Sequence, residues 1–194
     1  MAYLTQKPKV QLSQEDVRQC EEGAHRQYHA SRDLGLKIGN ATGNDGQHDM
    51  EEELIGKLGE LAFCRYAKIY NEDTLNTFKR ADIIIPEDHV LSNISRTWHI
   101  RATRYATGHL PIRPQIISEG TQLQREDPDG YYALITLNRR TNVATMAGYI
   151  HTSEGKHEDH WRTADQLGNT GHPTWWVNQE ALHPFPITSI EEIF

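Results

Sequence analysis

The sequence predicts an α/β fold, and three observations lead there. Leu54, Ile55, Leu58, Leu61, Ala62 and Ile69 recur at helical spacing over Glu51–Tyr70, as on a helix that buries one broad face. Ala81–Ile85 and Trp98–Arg104 are short runs suited to strands, the first closed by Pro86. Tyr131–Leu137 and Val143–Ile150 are two more, and the short polar connection Asn138–Asn142 pairs them as a hairpin.

Taken in order, Ser13 opens a helix that runs to near Gly35, with Asp16 three residues on as a capping box. Val17, Cys20, Ala24 and Tyr28 form its apolar stripe. Lys37–Met50 is rich in Gly, Asn and Asp and reads as a loop. In the Glu51–Tyr70 helix a narrower stripe of Gly56, Glu60, Phe63 and Ala67 sets Glu60 apart from the Lys57, Cys64 and Lys68 arc, at the boundary of buried and exposed faces. His151–Pro173 is polar and rich in His and Gly, and Trp175–Val177 is a last short strand before Leu182, Pro184 and Pro186. No internal repeat or linker divides the chain. One domain over residues 1–194 is expected, with a core at about 50–150, an N-terminal helix at 13–35 and a C-terminal strand and tail at 174–194.

Hydrophobic residues at 37% and charged residues at 24% are enough to build a core, which excludes wholesale disorder. Neither a signal peptide nor a membrane-length apolar run is visible, so a cytoplasmic protein without a membrane partner is expected. Cys20 and Cys64 lack metal or disulfide spacing. Asn40 and Asn93 match glycosylation acceptors by chance on that reading.

A net charge of −7 argues against nonspecific coating of nucleic acid. Phe78–Gln115 nevertheless holds six Lys/Arg, including Arg101, Arg104 and Arg113, against three acids, a local +3 that leaves −10 elsewhere. Ordinary surface charge is the plain alternative.

The same window carries a constellation. Alternation puts His99, Arg101 and Thr103 on one face of their strand and Trp98, Ile100 and Ala102 on the other. Asp82 opens the preceding strand, and Glu60 lies on the helix before it. Helix acid, strand Asp, then polar-x-basic on the next strand is an order that resembles the PD-(D/E)XK nuclease superfamily. The matching stretches are Gly59-Glu60-Leu61-Ala62-Phe63, Ala81-Asp82-Ile83-Ile84 and His99-Ile100-Arg101-Ala102-Thr103. The wider run, about Ser13 to Phe185, is similar to small uncharacterised proteins of tailed bacteriophages, through Gly148-Tyr149-Ile150 and Leu182-His183-Pro184.

The resemblance implies a central mixed sheet with flanking helices, a restriction-endonuclease-like core, and a DNA substrate in the host cell cytoplasm. It implies Glu60, Asp82 and His99 as ligands of a divalent metal, Mn²⁺ or Mg²⁺, with Arg101 as a fourth catalytic residue. Such a metal generates hydroxide near neutral pH and stabilises charge growing on phosphate oxygens. Arg101, Thr103, Arg104 and Arg113 are the expected nucleic-acid contacts. Two positions depart from the superfamily. His99 stands where an acid is usual and Arg101 where lysine is usual. Arginine stays protonated and clamps phosphate rather than taking a proton, and imidazole suits Mn²⁺ and other transition ions better than Mg²⁺. The chain is therefore expected to be a metal-dependent nuclease or, alternatively, a non-catalytic module on the same fold that binds nucleic acid or a host protein. A phage structural protein is the third reading.

Each position also has a plain reading: Glu60 as a solvated helix residue, Asp82 as a turn cap, and His99 and Arg101 as a half-exposed sheet face paired with acids. His157-Glu158-Asp159-His160 lacks zinc-protease spacing and reads as a solvated loop. Trp175 and Trp176 fit a strand in which one ring faces the core, or a base-stacking surface.

Overall fold

A computed structural model describes residues 6–33, 46–68, 98–112, 130–163, 165–167 and 173–187. The predicted strand Ala81–Ile85, with Asp82, and Arg113 lie outside these residues. The fold is α/β with a mixed sheet and helices. Its elements are β1 (Lys9–Gln11), α1 (Gln14–Asp33), α2 (Gly46–Tyr66), β2 (Trp98–Thr103), β3 (Leu110–Ile112), β4 (Tyr131–Asn138), β5 (Val143–His151), β6 (Trp161–Arg162) and β7 (Thr174–Val177).

The Ser13 capping box closes as its residues demand. Ser13 N–H donates to Asp16 Oδ2 at 2.7 Å, and Asp16 N–H donates to Ser13 Oγ at 3.1 Å. Asp16 is buried, and its other oxygen accepts from Arg65 Nη2 at 2.5 Å, so one carboxylate starts α1 and ties it to the end of α2. Helix α2 begins at Gly46, earlier than the apolar pattern suggested, and this corrects the loop reading for Gly46–Met50. Propensity sees only the polar first turns, whereas helical hydrogen bonds extend past the buried face. The helix stops at Tyr66, and Lys68 two residues on takes the left-handed conformation (φ 55°) that ends many helices.

Strand order in the main sheet is β1-β5-β4-β2, with β4 and β2 parallel and the other neighbours antiparallel. The β4–β5 hairpin turns where expected: Asn138 Oδ1 accepts from Arg140 N–H at 3.0 Å, and Asn142 adopts φ 52°. Opposite Leu134 and Ile135 the register shifts from Gly148 to Met146, so Ala147 is an extra, bulged residue. A second, antiparallel sheet, β3-β7-β6, was not anticipated.

Two cores result. Helices α1 and α2 cover the face of Trp98, Ala133, Ile135, Leu137, Ala144 and Met146 through Cys20, Ala24, Leu58 and Phe63 among others. Gly59 sits so close to Ala102 that a Cβ there would collide with its side chain, which sets helix against sheet at short range. The opposite face, Tyr132, Leu134, Ala147 and Ile150, packs on Leu110, Ile112, Val177 and Leu182 of the small sheet and the segment after it. Among the described residues no helix is long and apolar enough to cross a membrane.

Candidate functional site

Strand β2 displays its residues as alternation required. Parallel register sets Trp98 beside Tyr131 and His99 beside Tyr132, and in-register neighbours share a face. Trp98, Ile100 and Ala102 belong to the helix-side core. His99 faces the other way, 1% exposed, its ring stacked on Tyr132 at 4.6 Å and 25°. Arg101, half-buried on that same face, holds its guanidinium carbon 5.9 Å from the Tyr132 ring centre.

At the end of the strand the chain turns outward. Thr103 Oγ1 accepts from Tyr105 N–H at 3.2 Å, and Gly108 N–H donates to Tyr105 O at 2.9 Å. A Cβ at Gly108 would press on the Thr103 side chain, so the turn needs glycine. Arg104 and Tyr105 are exposed here, with the guanidinium 5.3 Å from the Tyr105 ring and 2.8 Å from Glu51 in the second turn of α2. The Tyr105 hydroxyl and the Glu51 carboxylate hold the Arg104 guanidinium above its ordinary value, so it is a permanent cation.

Glu60 is half-buried on α2, in the layer against α1. It contributes, after burial itself, to raising the thiol of Cys64, which is pushed up to about 12, as is Cys20 on α1. Lys57 is 3% exposed, close enough to α1 to act on the Cys20 thiol, and its ammonium lies 3.9 Å from Glu53. Glu60, on the helix that packs on the Trp98 face, and His99, on the Tyr132 face, thus stand on opposite sides of the main sheet. Among the described residues no group of three His, Cys, Asp or Glu is placed to hold a metal ion.

Sequence reasoning missed a cleft of about 630 Å³ beside the β2–β3 turn, lined by Lys7, Thr107, His109, Asn178, Gln179 and Glu180 among others. Gln179 organises it. Its amide donates to Ala106 O at 2.9 Å and Gly108 O at 2.8 Å, and its oxygen accepts from Lys7 Nζ at 2.8 Å. Nothing local in the sequence signals this clamp, since Lys7 and Gln179 lie near opposite ends of the chain. Trp176 stacks on His109 at 5.2 Å, whereas Trp175 packs on the second core and against Trp161 at 4.8 Å. His157 caps a short exposed turn, its Nδ1 accepting from Asp159 N–H at 3.4 Å.

The two C-terminal pieces of the sequence resemblance meet in space. Tyr149 N–H donates to His183 O at 2.9 Å and His183 N–H donates to Tyr149 O at 2.8 Å. Gly148 faces Leu182 where a Cβ would lie 2.6 Å from the leucine Cβ. Comparison with protein-family models, with curated proteins and with solved structures finds no match.

Proposed function

We propose that this chain is a nucleic-acid-binding protein with a nuclease-like scaffold that engages DNA without cutting it, in the cytoplasm of a bacterial host. The observation that carries this reading is the division of β2. Its buried half commits His99 to a ring stack under Tyr132, opposite the helix with Glu60, while its outer end offers Arg104 and Tyr105 to solvent. An imidazole in a packed core is poorly suited to hold an ion beside a phosphate. A fixed guanidinium beside an aromatic ring suits phosphate contact and base stacking. Arg101 and Thr103 support that end from within, and Arg113 belongs to the same basic window of sequence.

Fluorescence anisotropy with labelled DNA at stepped salt tests the reading. Affinity falls steeply with salt, and Arg104→Ala weakens binding and lowers the log–log salt slope by about one. Parallel incubation of supercoiled DNA with Mn²⁺ or Mg²⁺ gives no nicking. Nicking that disappears in Asp82→Ala would replace this proposal with metal-dependent phosphodiester hydrolysis. Absence of binding to any DNA or RNA would point instead to a host protein as partner.

A further inference from the structure

Helix α1 carries a feature unrelated to the nucleic-acid reading. His25 and His29 are four residues apart, hence on one face and one turn from each other, and both are exposed. Their Nε2 atoms point at each other, 3.1 Å apart, with ring centres 4.3 Å apart and planes inclined at 56°. The neighbouring stripe of the helix is anchored by buried Cys20, Ala24 and Tyr28, and the Tyr28 and His29 rings meet edge to face at 5.4 Å. The pair therefore projects from a backbone fixed by core packing.

We propose that His25 and His29 form a two-ligand site for a divalent transition ion that favours imidazole: Zn²⁺, Ni²⁺ or Cu²⁺. Two metal–nitrogen bonds of about 2.0–2.1 Å, opened by an angle between roughly 90° and 110°, separate their nitrogens by about 2.9–3.4 Å. The observed 3.1 Å falls inside that span. A histidine pair at i and i+4 on one helix face is an arrangement that binds zinc. In the 3.1 Å contact one Nε2–H donates to the other Nε2; to face one ion, the donor ring takes the tautomer with its proton on Nδ1, and both Nε2 lone pairs are then free for the metal. Imidazole nitrogens select against Mg²⁺ and Ca²⁺, which require oxygen ligands. Water completes the coordination sphere, which makes the site open and of moderate affinity.

The chain has 11 histidines, so the test must separate this pair from scattered imidazoles. Two other described rings are engaged elsewhere: His151 Nδ1 lies 2.8 Å from Ser153 Oγ, and His183 Nε2 lies 2.7 Å from Glu154. Titration of the full chain with ZnCl₂ and with NiCl₂ by isothermal calorimetry is expected to give one tightest site per chain, undisturbed by excess Mg²⁺. His25→Ala and His29→Ala, both at exposed positions and checked for unchanged helicity by circular dichroism, each weaken that site by roughly ten-fold or more. The double variant loses nothing further, since either ring alone no longer chelates. Zinc also raises the melting temperature of the native chain and of neither single variant. The proposal is overturned if either single variant retains full affinity, or if the two losses are partial and additive, as for independent surface histidines.

Discussion

The two faces of the main sheet are closed in different ways. The helix side is covered by α1 and α2, whose apolar residues recur at regular spacing and whose own hydrogen bonds are local. The other side is covered by strands of two to four residues, held by long-range pairing and by polar clamps such as Gln179. An aliphatic and aromatic interior built on long helices resists perturbation through packing, and truncation there forfeits most. Both sides bury polar groups, Asp16 and Lys57 among the helices and His99 under the strands, but the face assembled from short segments also borders the cleft lined by Lys7 and Gln179. Packing of long helices should therefore concentrate stability on the helix side of the sheet.

Truncating the helix-side core gives the sharpest contrast. Trp98 is fully buried among Phe63, Tyr131, Tyr149 and Phe185. Trp98→Ala is expected to lower unfolding free energy in urea by about 4 kcal/mol; a loss below about 1 kcal/mol would deny that this side dominates. On the opposite face, His99→Asp would install the acid usual in the nuclease superfamily at a site 1% exposed. Burying a carboxylate there should cost about 3 kcal/mol. Recovery of that stability on adding Mn²⁺, together with DNA nicking, would turn the strand-covered face into a metal centre and reverse the proposed function.

Alkaline titration probes the helix layer more gently. The Cys20 and Cys64 thiols are each raised by burial from 9.0 to about 12. The unfolded chain thus loses these protons first, and stability falls as pH rises from about 9 toward 12, by about 1 kcal/mol per thiol at pH 10. In Cys64→Ala the slope over that window should be shallower than in the parent, and native protein at pH 8 should resist thiol reagents. The smallest effect is expected at the clamp. Gln179→Ala removes two partly exposed hydrogen bonds to the β2–β3 turn and should cost about 1 kcal/mol, read as a small drop in melting temperature.

The same contrast decides what was legible in the sequence. Helix α1, its Ser13–Asp16 cap, α2 and the β4–β5 hairpin announce themselves because their signals are local: apolar periodicity, a side-chain cap, a polar turn. Strands β1, β3 and β6 do not, since two or three residues hold no period and become strands only through partners far along the chain, as Lys9 does opposite Thr145. For the site, alternation correctly groups His99 with Arg101 on one face of β2, but periodicity cannot tell which layer will cover that face. Burial of His99 and the separation of its face from Glu60 are properties of layer order.

Strand β5 shows what the Tyr149–His183 pairing protects. Its outer edge is covered in two pieces, by β1 at Val143–Thr145 and by His183 at Tyr149, contributed from opposite ends of the described chain. An uncovered edge is a template for intermolecular pairing. During synthesis the hairpin emerges from the ribosome before residues 182–185 do, so β5 spends that interval with half its edge open. Truncation or mispairing of this short C-terminal strap would therefore register first as aggregation of nascent protein, ahead of any loss of binding by molecules that had already closed.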